Sequence, residues 1–225
     1  MTGENDEVSL SDVQHKKETF EEKSLRQLRQ LWDFCSSCSI CRLGSKLQER
    51  NGQKFDPHVF SNMKPSKWVI VGQNPGYNEC LEHEPFVGDA GKFFNKTLEE
   101  FGLSRDKFYI TNAVHCFTPN NRKPENDEVE NCIDFLRFEL KILKPKLVIT
   151  LGAVSFGYLC PQETYSDSLG KIVKSKVVGY PVYPIYHPSP RNMSAQNRKI
   201  KFRKDMQNLC KLIQAYEKQS KIIKL

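Results

Sequence analysis

The stretch Trp68-Val-Ile-Val-Gly-Gln-Asn-Pro-Gly76 constrains the fold of this chain more than any other. Four consecutive apolar residues, two of them valine and one isoleucine, make a strand buried on both faces, as in a parallel sheet sandwiched by helices. Gly72 and the Pro75-Gly76 pair end that strand abruptly and leave Gln73 and Asn74 on a tight turn. Open α/β sheets bind their ligands at the carboxyl ends of their strands, so two amides held there are candidates for chemistry.

The rest of the chain repeats this alternation. A helix is predicted over 20–34, where Leu25, Leu28, Leu31 and Trp32 recur at helical spacing, and it leads into the cysteine-rich segment 35–41. Residues 42–66 read as loop and short extended pieces broken at Asp56-Pro57 and Lys64-Pro65. Strand 68–71 is followed by a helix over 90–101 and a second strand over 108–113. A helix over 126–143 comes next, with Asn126 or Asp127 as its N-cap, and then a third strand over 146–151. A helix beginning near Gly152-Ala153, a fourth strand over 182–186 and a long helix over about 194–216 complete the pattern. The predicted fold is α/β: one domain over 18–225, with a central four-stranded parallel sheet and helices on both faces, preceded by a disordered polar tail over 1–17.

At 225 residues, 38% hydrophobic and 27% charged, the chain can bury one substantial core, and no apolar run reaches the roughly 18 residues a membrane span needs. No secretory signal is evident, so an intracellular location, cytoplasm or nucleus, is expected. The net charge of +7 is weighted toward Arg191, Arg198, Lys199, Lys201, Arg203, Lys204 and Lys211, which suits either a polyanion partner or a solvated helix face. Eight cysteines outside a secretory context point away from a disulfide scaffold. Cys38-Ser-Ile-Cys41 places two thiolates within reach of one centre, and Cys116 and Cys132 can complete a set of four for zinc or an iron–sulfur cluster. Cys35 stands at the same spacing from Cys38 and is an alternative ligand. Cys80, Cys160 and Cys210 read as structural thiols.

Several motifs then occur in a fixed order: Cys38-x-x-Cys41-x-Leu43, Gly72-x-x-Pro75-Gly76, Pro85-Phe-Val-Gly-x-Ala-Gly91, Ile110-Thr-Asn112, Cys116, Pro119-x-Asn121-Arg122 and His187-Pro-Ser189. Over roughly 35–213 the chain resembles the uracil-DNA glycosylase superfamily, most closely its iron–sulfur branch, family 4. Gln73-Asn74 departs from the Glu-Ala or Glu-Gly usual in that branch. With His187-Pro-Ser-Pro-Arg-Asn192, it is similar instead to the mismatch-specific and single-strand-selective branches. Base preference therefore stays open among uracil, hypoxanthine and mismatched thymine.

The resemblance implies a 4Fe-4S cluster on Cys38, Cys41, Cys116 and Cys132 that stabilises the fold, and DNA containing uracil, single- or double-stranded, as the partner of a monomeric repair enzyme. It also implies roles for individual residues. Phe86 is the platform beneath a flipped base, and Asn112 reads O4 and N3–H of uracil. Gln73 hydrogen-bonds the base, Asn74 holds the attacking water, and Glu79 assists that water or steadies the cationic sugar. His187 donates to O2 as charge gathers there. Ser189, Pro190 and Arg191 form a DNA-contacting loop, with Arg191, Arg198 and Lys199 on phosphates. No lysine stands as an obvious Schiff-base nucleophile, so base excision repair by removal of the base without strand nicking is expected. The competing readings are a glycosylase fold that binds DNA without catalysis and a small-molecule nucleotide enzyme on the same scaffold.

Overall fold

The computed structural model describes residues 18–222, so the tail read over 1–17 lies outside the described residues. Helix α1 (Phe20–Ser36) opens with a Thr19–Glu22 capping box and precedes a hairpin, β1 (Gln48–Arg50) and β2 (Gln53–Phe55). Two of the short extended pieces read over 42–66 thus pair as a hairpin, a pairing not expected from the sequence. Asn51 and Gly52, both at positive φ (53° and 77°), make the two-residue turn that suits the twist of paired strands.

The sheet proper follows: β3 (Trp68–Gly72), α2 (Tyr77–Glu82), α3 (Asp89–Glu100), β4 (Tyr109–Asn112), α4 (Asn126–Leu143) and β5 (Leu147–Leu151). Then come α5 (Ala153–Leu159), α6 (Tyr165–Ser168), β6 (Val173–Lys174), β7 (Pro181–Ile185), α7 (Pro190–Met193) and α8 (Gln196–Ile222). The strand order is β4-β3-β5-β7-β6, with β4, β3, β5 and β7 parallel as expected. The two-residue β6 adds a fifth, antiparallel edge strand, too short to leave a periodic signal. Glu125, and not Asn126 or Asp127, caps α4, in a reciprocal box with Glu128. The segment at 190–193, expected as loop, is a helical turn with Pro190 in its first turn.

Alternation along the strands divides the core in two. Val69, Val71, Tyr109 and Val148 face a cluster with Leu28 of α1, Leu136 and Leu140 of α4 and Phe156 of α5. Ile70, Ile110 and Ile149 face the opposite side, against Phe94 and Leu98 of α3 and Phe202 and Met206 of α8. Both faces are thereby buried, and the exposed working edge is the row of carboxyl ends after β3, β4, β5 and β7. Because β4 and β5 flank β3 on opposite sides, the chain direction switches there, and a crevice opens above Gly72.

Candidate active site

A cleft of about 790 Å³ lies over those carboxyl ends. It gathers Gln73, Asn74 and Glu79 from the β3 side, Phe86 from the loop before α3, Asn112 from the end of β4, and His187, Ser189, Arg191 and Arg198 from beyond β7. Pro190 and Lys199 do not line it.

Asn112 sits at its floor, 1% exposed, and neither its amide oxygen nor its amide nitrogen has a hydrogen-bond partner among the described residues. Leaving such a group unpaired costs about 1–3 kcal/mol, so an empty donor–acceptor pair aimed into a cleft points to a ligand that completes it. Gly72 keeps the space open. A Cβ there would lie 2.3 Å from Asn112 Oδ1 and 2.7 Å from the Phe86 ring, so no other residue fits between the two.

The Phe86 ring is buried beside that amide, and its backbone takes a left-handed φ of 58°, which costs a non-glycine residue about 1–3 kcal/mol. Two side chains hold it there. Arg105 donates to the carbonyls of Pro85 and Phe86 and to Glu84 Oε1. Glu79 Oε1 accepts from the N–H groups of Val87 and Gly88, at 3.1 and 2.8 Å. Glu79 thus sits on α2 and grips the Phe86 loop, a positioning contact that its sequence context did not reveal.

His187 faces Phe86 with ring centroids 6.1 Å apart. Its carbonyl accepts from Asn192 Nδ2 (3.0 Å), and Arg198 donates to Asn192 Oδ1 (3.2 Å), so Arg198 steadies the His187 segment. Burial pushes the His187 imidazole down from 6.5 to about 4, leaving it neutral at pH 7 with one N–H to give. The unfolded chain accepts that proton at pH 6.5, but the folded one refuses it until about 4. This contribution to stability is therefore complete above pH 6.5 and is lost as pH falls through about 4, by roughly 3 kcal/mol. His187→Gln is expected to flatten the decline of melting temperature between pH 7 and 4.5; an unchanged decline would place the acid sensitivity elsewhere.

Asn74 is tied down on both ends of its amide. Its nitrogen donates to Pro75 O (2.9 Å), Thr118 Oγ1 (3.2 Å) and Asn121 Oδ1 (3.2 Å), and its oxygen accepts from Gln73 Nε2 (2.7 Å). Gln73 Nε2 also reaches Arg122 O. Thr118 and the Arg122 carbonyl escaped the sequence reading because they lie more than forty residues from Asn74 with no periodicity to link them.

All eight cysteines carry free thiols. Burial pushes the Cys116 thiol up, and Cys132, Cys41 and Cys38, each close enough to repel a thiolate there, push it further. The Cys41 thiol is raised by burial and accepts backbone hydrogen bonds from Leu43 and Gly44, which oppose the rise. Cys132 Sγ faces the backbone N–H of His115 and its Nδ1, both at 3.3 Å. The four predicted ligands therefore share one neighbourhood and are supplied with the N–H donors that thiolate ligands use. Cys35 is buried near Cys38, Cys132 and Glu139, and its thiol is pushed well above the usual range by burial first. Among the described residues, no three His, Cys, Asp or Glu side chains close in to single-ion distance.

An apolar ring, an unpaired amide and a neutral imidazole around one slot define a protein that takes up a flat heterocycle with an amide-like edge, a nucleobase in the first instance. The chain belongs to the uracil-DNA glycosylase superfamily, whose family model matches residues 58–210. It is 38% identical to a type-4 uracil-DNA glycosylase of Saccharolobus solfataricus, over 75% of this chain and 78% of that protein. It is 40% identical to a type-4 enzyme of Sulfurisphaera tokodaii, over 59% of this chain and 64% of the relative. It is also 38% identical to a type-5 uracil-DNA glycosylase of Pyrobaculum aerophilum, over 48% and 54% respectively. Among the described residues, no helix is long and apolar enough to cross a membrane.

Proposed function

We propose that this protein is a monofunctional uracil-DNA glycosylase that initiates base excision repair and carries a 4Fe-4S cluster on Cys38, Cys41, Cys116 and Cys132. The observation that carries the reading is the unpaired amide of Asn112 beside the Phe86 ring. A uracil flipped into the slot stacks on Phe86, accepts at O4 from Asn112 Nδ2 and donates from N3–H to Asn112 Oδ1.

Breaking the N-glycosidic bond leaves positive charge on the deoxyribose and the bonding electron pair on the base. The neutral His187 donates toward O2, where that negative charge gathers. Asn74 presents its amide oxygen to one water, which adds to the sugar carbon and releases a proton that the departing base finally takes up. Glu79 holds the Phe86 loop while this happens. Arg191, on the cleft rim, takes a phosphate, as do Arg198 and Lys199. Cys38 and Cys41 after α1, Cys116 after β4 and Cys132 on α4 would hold the cluster, which would tie these three segments together.

The test uses labelled oligonucleotides with one uracil, single-stranded or opposite G or A, treated with alkali after incubation. Cleavage at the uracil only after alkali is expected. Intact strands throughout would overturn the reading, and cleavage only at hypoxanthine or mismatched thymine would replace the base. Asn74→Ala is expected to lower turnover about 10²- to 10³-fold; a wild-type rate would move the water to Glu79.

A further inference from the structure

The hydrogen bonds around Asn74 form a circuit with a fixed direction, and that direction begins at a group that cannot reverse it. The carbonyl of Arg122 is an acceptor only. It receives the hydroxyl of Thr118 (2.6 Å) and, at 3.4 Å, the amide nitrogen of Gln73. A hydroxyl has one proton, so with that proton committed to Arg122, Thr118 Oγ1 can only accept from anything else. The group it faces is the Asn74 amide, at 3.2 Å, and only the nitrogen end of that amide can donate. Gln73, with its nitrogen turned to Arg122, offers its second N–H to the oxygen end of the same amide, at 2.7 Å. Two acceptor-only backbone carbonyls, Arg122 through two side chains and Pro75 directly at 2.9 Å, thus agree on which end of Asn74 is nitrogen and which is oxygen. Thr118 is fully buried, so no solvent water competes for its hydroxyl.

We infer that Thr118 is a positioning residue for the glycosidic reaction: its buried hydroxyl, acting with the Pro75 carbonyl and Gln73, holds the plane of the Asn74 amide and so aims the amide oxygen, one lone pair still unused, at the attacking water. This rests on the glycosylase reading and on the role it gives Asn74. Without the hydroxyl, Asn74 keeps its flip state through the Pro75 carbonyl and Gln73 Nε2 but loses its buried lateral acceptor, and the exposed Asn121 side chain replaces it weakly, so the amide plane is free to tilt. The amide oxygen then no longer holds one direction toward the water.

The test is a set of variants assayed under single turnover. Thr118→Val keeps the shape and removes the hydroxyl, and is expected to lower kcat about 10- to 100-fold with KM for uracil-containing DNA nearly unchanged. Thr118→Ser, which keeps the hydroxyl, restores the rate. In an Asn74→Ala background, Thr118→Val is expected to have no further effect, since there is no amide left to orient. Melting temperature and iron content are measured on every variant, so that a folding defect from the buried site is seen as such; should Thr118→Val fail to fold, Thr118→Ala in the same cycle decides. Additive losses in the double variant, or a Thr118→Ser rate as low as that of Thr118→Val, overturn the inference. A full rate for Asn74→Ala instead overturns the role of Asn74 and is read separately from either result.

Discussion

Asn112→Leu is expected to lower kcat/KM for uracil excision by about 10⁴-fold while raising thermal stability. The activity loss follows from removing the donor and the acceptor that the base edge meets together; sites built to hydrogen-bond a substrate reject mismatched partners by factors of this order. The stability gain has the same origin. Among the described residues neither polar atom of this buried amide has a partner, and leucine has nearly its shape without that penalty. A gain of about 1–3 kcal/mol corresponds to a few degrees in melting temperature for a chain of this size. DNA binding measured by titration is expected to stay near wild type, since the phosphate contacts lie on the cleft rim. Wild-type excision would remove this account of base recognition. A lower melting temperature would mean that the amide has partners in the free protein.

On the proposed 4Fe-4S assignment the protein is expected to be brown, and Cys116→Ser to abolish that absorbance and lower the melting temperature by roughly 10–20 °C, several kcal/mol at about 2–4 °C per kcal/mol. Cys116 lies in the loop that leaves the β4 end carrying Asn112, and backbone bonds join its neighbours to the segment at 57–59 (Val59 N to His115 O, Phe117 N to Pro57 O). Loosening it frees the loop that carries Thr118 and Asn121. The check is visible absorbance, iron content and melting temperature on the same preparations, with Cys210→Ala as a variant buried elsewhere in the core. A colourless wild-type protein containing zinc, or a Cys116→Ser variant with full iron, would sink the cluster assignment.

What the sequence disclosed followed the strength of local signals. Trp68–Gly72 and Asn126–Leu143 were legible because their apolar residues repeat at strand and helix periods over enough residues to be unambiguous. The hairpin at 48–55 was missed although Asn51-Gly52 is a strong turn signal, because its strands are three residues long and mostly polar. Phe86, Asn112 and His187 could be named from motifs, and the structure brings them to one slot. What no motif contains is the support behind them. Arg105 pins Phe86 across nineteen residues, and Thr118 orients Asn74 across forty-four. Such pairs are set by tertiary packing, which leaves no periodicity along the chain.

On the proposed reading the Asn112 amide oxygen meets the base edge. Its bond to the N3–H of a uracil ring is the same before the glycosidic bond breaks and after. That contact lowers the energy of bound substrate, transition state and released base alike, so it selects which base enters without accelerating its departure. Acceleration must come from groups that meet charge or water as the bond parts, and on the proposed reading those are His187 at O2, the nitrogen end of Asn112 at O4, and Asn74 at the water. On the proposed binding mode the detached base has as good a seat as the attached one, so free uracil is expected to compete with the substrate.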